Sequence, residues 1–282
     1  MITSLKNAKV RLIRDVMSNR RRRTQEKLFF IEGVHAITAA YDHGWNVQHL
    51  ITCPDTVRTD WAREIIERTP TENRVEVNEY VQIALSERSS PSELMALVVQ
   101  REDDPARIPI VDNVLVLLLD RPHSPGNIGS VIRSADALGA HAVIITGHAA
   151  DPYDAKAVRA SMGSLFALPV VRIQEHAQLE AWIAQTRETL GALQIVATSA
   201  HAGEALYERD LTGPTVLAIG NEARGISSYF ESLCDHFVTI PMSSEVATSF
   251  NASVAASILM YEASRQRARD AKPLASDLMR ET

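Results

Sequence analysis

Apolar positions along the chain follow two alternating periodicities. Short apolar runs at 29–31, 47–51 and 94–99 are bounded by turn residues and predict strands. Residues 33–43, closed by Gly44, and 61–68 repeat apolar residues at helical spacing. From Arg101 to Pro109 there is no periodicity, but two prolines and a cluster of charge, which predicts a linker. Beyond it, 114–119 is wholly apolar, as a central parallel strand is. Ser124-Pro-Gly-Asn127 supplies a turn and cap for a helix that Gly139 ends, with Ile128, Val131, Ile132, Ala135 and Leu138 on its buried stripe. Strands at 142–145, 168–171, 194–197, 215–219 and 236–240 alternate with helices at 155–161, 176–190, 227–233 and 251–267. This alternation predicts an α/β protein. A small N-terminal α/β domain covers 1–100, a linker 101–112, a parallel-sheet α/β/α domain 113–268 and a flexible tail 269–282.

Composition narrows the function classes. Apolar residues make up 45% of the 282 and charged residues 23%, enough for a core and ordinary for a globular chain. No apolar run approaches the roughly 18 residues that span a bilayer, so no membrane partner is expected. The basic N-terminus lacks the apolar stretch of a secretory signal, which predicts a cytoplasmic protein. Cys53 and Cys234 are too few for a disulfide framework or a zinc site, so no metal is expected. The net charge of −6 argues by itself against nucleic acid, but its distribution reverses that. Residues 1–30 hold nine Lys or Arg against Asp15 and Glu26, a local +7. Lys6, Lys9, Arg20, Arg21, Arg22 and Arg23 are therefore candidates to bind the phosphates of a nucleic-acid backbone. The bland alternative is a solvated helix surface.

Candidate chemistry gathers in three loops, where open α/β sheets collect ligands beyond the carboxyl ends of their strands. They are Pro122-His-Ser-Pro-Gly-Asn127-Ile-Gly129-Ser-Val-Ile-Arg133, Gly220-Asn-Glu222-Ala-Arg-Gly225, and Ile240-Pro-Met242 followed by Glu245 and Ser249-Phe-Asn251-Ala-Ser253. Each has an ordinary explanation. Taken singly, the glycines serve tight turns, Asn127 and Ser249 cap helices, and Arg133 is a surface charge.

In combination and order, the three loops resemble the sequence motifs of the SPOUT-class, TrmH-type (SpoU) RNA ribose methyltransferases. Asn127, Gly129 and Arg133 match the first motif, Gly220, Glu222 and Gly225 the second, and Ile240-Pro-Met with Ser249-Phe-Asn-Ala-Ser-Val-Ala255 the third. The match spans about 114–266. Phe29-Phe-Ile-Glu-Gly33 is similar to part of the RNA-binding domain that many members carry ahead of the catalytic one. Phe250 stands where leucine is usual and Ala223 where glycine is common.

The resemblance implies a C-terminal trefoil knot, a homodimer, and S-adenosyl-L-methionine as cofactor. Carried over by position, the cofactor contacts fall at Thr198, Ser199, Ala200, Gly220, Asn221, Gly225, Ile240, Met242, Phe250 and Asn251. The catalytic set falls at Arg133, Asn127, Glu222, Asn251 and Ser249. Arg133 is the family's central residue, Asn127 orients it or the ribose, and Glu222 holds either a backbone amide or the arginine. Ser249 and Asn251 fix the last loop. His123 is a residue type that can serve as a base, but it lies where the family varies. The implied activity is methylation of a ribose 2′-hydroxyl, with large-subunit ribosomal RNA ahead of tRNA. A non-catalytic RNA-binding protein of the same fold remains open. A dinucleotide oxidoreductase does not fit, because Gly126-Asn-Ile-Gly129 lacks the required glycine spacing.

Overall fold

The computed structural model describes residues 1–199, 202–243 and 249–270. Two compact units are present. The first comprises 1–102, 124–133 and 150–167, and the second 103–123, 134–149 and the residues from Leu168 onward.

The first unit opens with two helices, α1 (Ala8–Ser18) and α2 (Arg20–Glu26), capped by the side chains of Asn7 and Asn19. In the sequence these helices show chiefly as a run of charge. Val10, Ile13 and Val16, three apart on one face, are fully buried, while the basic residues between them hide the pattern. There follow β1 (Leu28–Glu32), α3 (Val34–Asp42), β2 (Val47–Thr52), α4 (Asp60–Arg68), β3 (Arg74–Glu76), α5 (Glu79–Leu85) and β4 (Leu94–Val99). The strands form a mixed sheet in the order β1-β4-β2-β3, antiparallel except for the β2–β3 pair. Neither β3 nor α5 was expected. β3 is three residues long, and α5 spans two turns started by an Asn78 cap.

The second unit carries β5 (Leu115–Asp120), from which the chain enters α6 (Pro125–Ala137). Residues 124–133 of that stretch belong to the first unit and Ser134 to the second. Next come β6 (Ala142–Thr146), then α7 (Ala155–Ser161) and α8 (Ser164–Ala167), both in the first unit. The chain continues through β7 (Val170–Ile173), α9 (His176–Leu190), β8 (Gln194–Thr198), β9 (Glu204–Ala205), β10 (Thr215–Ile219), α10 (Ser228–Leu233), β11 (His236–Thr239) and α11 (Ala252–Asp270). Among the described residues the strands form one parallel sheet in the order β7-β6-β5-β10-β8-β11-β9. The apolar run of β5 is buried throughout, as a central strand requires.

Two local expectations change. Asn127 is not the cap of α6. Its amide donates to Ser124 Oγ (3.3 Å), so Ser124 caps and Asn127 lies in the first turn. The stretch expected as a linker is anchored from Asp103 onward. Asp103 takes the Arg172 guanidinium at 2.7 Å, and Ile108 joins the core of the second unit.

One half-buried group makes stability pH-dependent. His141 Nδ1 accepts the Leu115 amide hydrogen (3.1 Å). Burial first, and the Arg267 charge second, hold its pKa below the ordinary 6.5. The unfolded chain therefore takes the proton first as pH falls. His141's contribution is complete above about pH 6.5 and fades as pH drops through 6.5 toward the lowered folded value. Urea midpoints at pH 7.5 and 5.5 should differ more in the native protein than in His141→Asn, whose amide oxygen keeps the acceptor without the titration.

Candidate functional site

The carboxyl ends of β10, β8 and β11, adjacent in the sheet, direct three loops toward one another. They line a cleft of about 660 Å³, walled by Thr198 and Ser199 after β8, Gly220–Ile226 after β10, and Ser249–Ala252 with Ala255. A smaller recess of about 120 Å³ shares Thr198, Ser199, Ser249 and Phe250, and adds Ile240 and Met242. The second and third motifs, distant in sequence, thus line one cavity. Ala200 and Glu245 lie outside the described residues.

The loop after β10 is built by its own side chains. Asn221 and Gly225 exchange backbone hydrogen bonds (2.9 and 2.8 Å), and Gly225 turns the chain with φ +67°. Asn221 is buried. Its Oδ1 accepts from Ala223 N and Arg224 N, and its Nδ2 donates to Arg121 O (2.7 Å). That side chain shapes the loop, and Asn221 also lines the cleft. Gly220 is required sterically, because a Cβ there would lie 2.2 Å from the Gly225 carbonyl carbon. Gly220→Ala should therefore raise the Kd for S-adenosylmethionine about ten- to hundredfold, an overpacking cost of about 1–3 kcal/mol, as titration calorimetry would record.

Asp120 and Arg121 were missed as site residues, although a charged pair ending an apolar strand was a legible signal. A buried carboxylate needs partners. Asp120, almost fully buried, takes Arg121 through two 2.9 Å hydrogen bonds and the Ser227 amide at 2.7 Å. The first of these contacts holds the Arg121 guanidinium above its ordinary pKa. Arg121 adopts φ +53°, and its NH2 also donates to Gly225 O (3.2 Å). Glu222 accepts the His123 amide (3.3 Å), one of the two roles expected for it. Four links thus clamp residues 120–123 to 221–227 within the second unit.

Asn251, not Ser249, caps α11, since its Oδ1 accepts from Ser253 N (2.9 Å) and Ser253 Oγ (2.7 Å). Met242 and Phe250 are exposed, and Ser249 lines both cavities. Burial, then Asp235 and Glu231, push the Cys234 thiol up to about 12, so it is protonated at neutral pH. Among the described residues no cluster of His, Cys, Asp or Glu is placed to hold a metal, and no helix is long and apolar enough to cross a membrane.

The first motif lies on α6. Asn127 is half-buried, Arg133 is exposed, and Gly129 is buried where a Cβ would meet Ala157 O of α7 at 2.2 Å. Lys6, Lys9, Arg20 and Arg21 are exposed, whereas Arg22 is half-buried and pairs with Glu26 (3.0 Å). Arg23 corrects the expectation of a phosphate contact. It is 3% exposed, its Nε donates to Asp151 (2.7 Å) and its NH2 to Asp154 (3.3 Å), and NH1 serves the Val16 and Met17 carbonyls.

Comparison with known proteins bears on the same segments. Residues 114–261 match the SpoU rRNA Methylase family, and residues 7–96 an MRM3-like substrate binding domain. A curated relative, 23S rRNA (uridine(2479)-2′-O)-methyltransferase from Streptomyces viridochromogenes, is 42% identical over 266 residues, covering 94% of this chain and 92% of that protein. The crystal structure of the SpoU methyltransferase AviRb from that organism, in complex with the cofactor AdoMet, superposes with a TM-score of 0.88 at 41% identity, covering 93% of this chain and 98% of the other. An AdoMet-bound rRNA methyltransferase from Sinorhizobium meliloti gives 0.83 at 29% identity over 94% and 97%.

Proposed function

This chain belongs to the SpoU rRNA methylase family, and from that premise we propose that it transfers a methyl group from S-adenosylmethionine to a ribose 2′-hydroxyl of large-subunit ribosomal RNA. The second unit is an α/β SPOUT fold. The observation that carries the reading is the single cleft lined by motifs two and three at the carboxyl ends of β10, β8 and β11.

The residues present suit the cofactor. Gly220 leaves room where any Cβ would collide, and Ile240, Met242 and Phe250 offer apolar surface to a ring beside backbone groups that can read its edge. S-adenosylmethionine supplies a methyl group already activated on a sulfonium. A ribose hydroxyl is a poor nucleophile, so the chain must position its oxygen and lower the cost of losing its proton. Arg133 stabilises the developing alkoxide and grips a neighbouring phosphate. A guanidinium that keeps its proton is suited to charge stabilisation rather than to general base work. Asn127 orients Arg133 or the ribose. Glu222, through the His123 amide, and Asn251, through the start of α11, keep the loops in place.

Exposed Lys6, Lys9, Arg20 and Arg21 bind phosphates of the RNA, giving salt-dependent affinity. The protein acts in the cytoplasm as a homodimer, for which Val254 and Tyr261, exposed one heptad apart on α11, offer an apolar face. Incubation with radiolabelled-methyl S-adenosylmethionine and, separately, protein-free ribosomal RNA and total tRNA tests the assignment. Label mapped to a ribose of large-subunit RNA is expected. Label confined to tRNA would move the substrate, and cofactor binding without label in either pool would leave an RNA-binding protein.

A further inference from the structure

A second cavity, of about 380 Å³, lies wholly within the first unit and takes no part in the proposed methyl-transfer cleft. Its construction starts from Glu32-Gly33, the end of the motif that resembles part of an RNA-binding domain. The Glu32 carboxylate accepts from Ser86 Oγ (2.7 Å), Ser92 N (3.0 Å) and Glu87 N (3.3 Å), which lashes the loop after α5 beside the end of β1. Gly33, at φ +95°, turns the chain beneath Arg88, whose NH2 would lie 2.8 Å from a Cβ at that position. The Arg88 guanidinium donates to the Glu32 carbonyl oxygen (3.3 Å). Among the described residues no carboxylate lies within ion-pair distance of it. Arg159 reaches the same cavity from α7, held by Glu87 at 3.1 Å. The remaining lining sets apolar Val34, Val158 and Met162 beside the polar Glu32, His35 and Glu87. Val34 and Met162 are 51% and 46% exposed, and Met162 sits in the left-handed region at φ +50°.

An open apolar wall rimmed by an unmatched guanidinium suits a ligand with a flat hydrophobic face and a negative charge. A nucleotide unstacked from RNA has both, and sequence-selective RNA recognition relies on such splayed bases. The volume is that of a small-ligand pocket. Charge complementarity favours this occupant over an apolar peptide, which would leave Arg88 unanswered.

We propose that this cavity is a second RNA subsite that seats one unpaired nucleotide of the substrate. Its base lies on Val34 and Met162, and its phosphate is held by Arg88 with Arg159 behind. The inference rests on the RNA methyltransferase reading and adds a specificity element to it.

The test uses the full-length protein and protein-free large-subunit ribosomal RNA. Equilibrium RNA binding is measured across a salt series, and cofactor binding and methyl transfer are measured separately. Arg88→Glu should weaken RNA binding about tenfold or more and lower the salt slope by about one. Cofactor affinity should stay unchanged. Met162→Gly relieves the left-handed backbone, so it should keep or raise the melting temperature while weakening RNA binding about threefold to tenfold. Arg63→Glu on α4 is the charge-matched control and should change binding less than twofold. Native RNA affinity in both cavity variants would overturn the subsite, as would an equal loss in the Arg63 control. Absence of methyl transfer by the native protein, with binding still lost in Arg88→Glu and Met162→Gly, would refute the enzymatic reading and leave the subsite standing.

Discussion

Arg133→Ala is expected to lower methyl transfer by about 10²–10³-fold with cofactor affinity within twofold of the native value. Removing one group that stabilises a developing oxyanion costs that much, about 2.7–4 kcal/mol, because the charge it meets is absent from the ground state. Arg133 is exposed on α6, so truncation leaves no buried cavity and the fold should stay intact. The loss should appear in single-turnover rates measured with saturating RNA and cofactor. Arg133→Lys separates the possible roles. A lysine retains the charge but not the planar fork, so partial activity would indicate electrostatic stabilisation. Complete inactivity of the lysine variant at every pH would refute a simple charge effect.

Arg23→Met should destabilise the protein by about 3–5 kcal/mol, the usual cost of breaking a buried ion pair by removing one partner. The loss leaves the Asp151 carboxylate, whose side chain is 4% exposed, without its arginine, and it frees the Val16 and Met17 carbonyls that end α1. Urea unfolding followed by circular dichroism reads the change. Arg21→Met, two positions away on an exposed site, should shift stability by less than about 0.5 kcal/mol. Its effect belongs in RNA affinity and its salt dependence. Combining Arg23→Met with Asp151→Leu should recover much of the stability, since the carboxylate left behind is then removed. A midpoint for Arg23→Met equal to that of Arg21→Met would contradict the buried pair.

These two arginines also show where sequence reading stops. Arg20 to Arg23 are identical letters in a row, and local pattern assigns them one role. Which of them is buried depends on Asp151, 128 positions away. Periodicity failed in α1 for a related reason, because its buried stripe of three residues is interleaved with as many charges, Arg11, Arg14 and Asp15. The elements with uninterrupted signals were legible. β4, β10 and α9 fall on the ranges that their apolar runs and helical spacing mark out. In the cleft, the order of the motifs placed Glu222, Gly225 and Ser249 on the loops that line it. The same order did not reveal that Asn221 spends its side chain on the loop, or that Asp120 and Arg121 brace it. Those roles arise from hydrogen bonds across a hundred residues, which no local window contains.

The strand order carries a consequence in time. β10 lies between β5 and β8, although both precede it in the chain. As the polypeptide leaves the ribosome, β5, β6 and β7 can assemble, but β8 must wait beside an empty lane until residue 219 has emerged. Non-local parallel pairing of this kind is slow. The cleft takes its last wall from residues beyond β11, so a chain stalled before that point holds the basic helices and none of the completed cofactor pocket. On the proposed function, competence to bind RNA would therefore arise early in synthesis and competence to methylate its ribose near the end, a delay set by the order in which the strands are made.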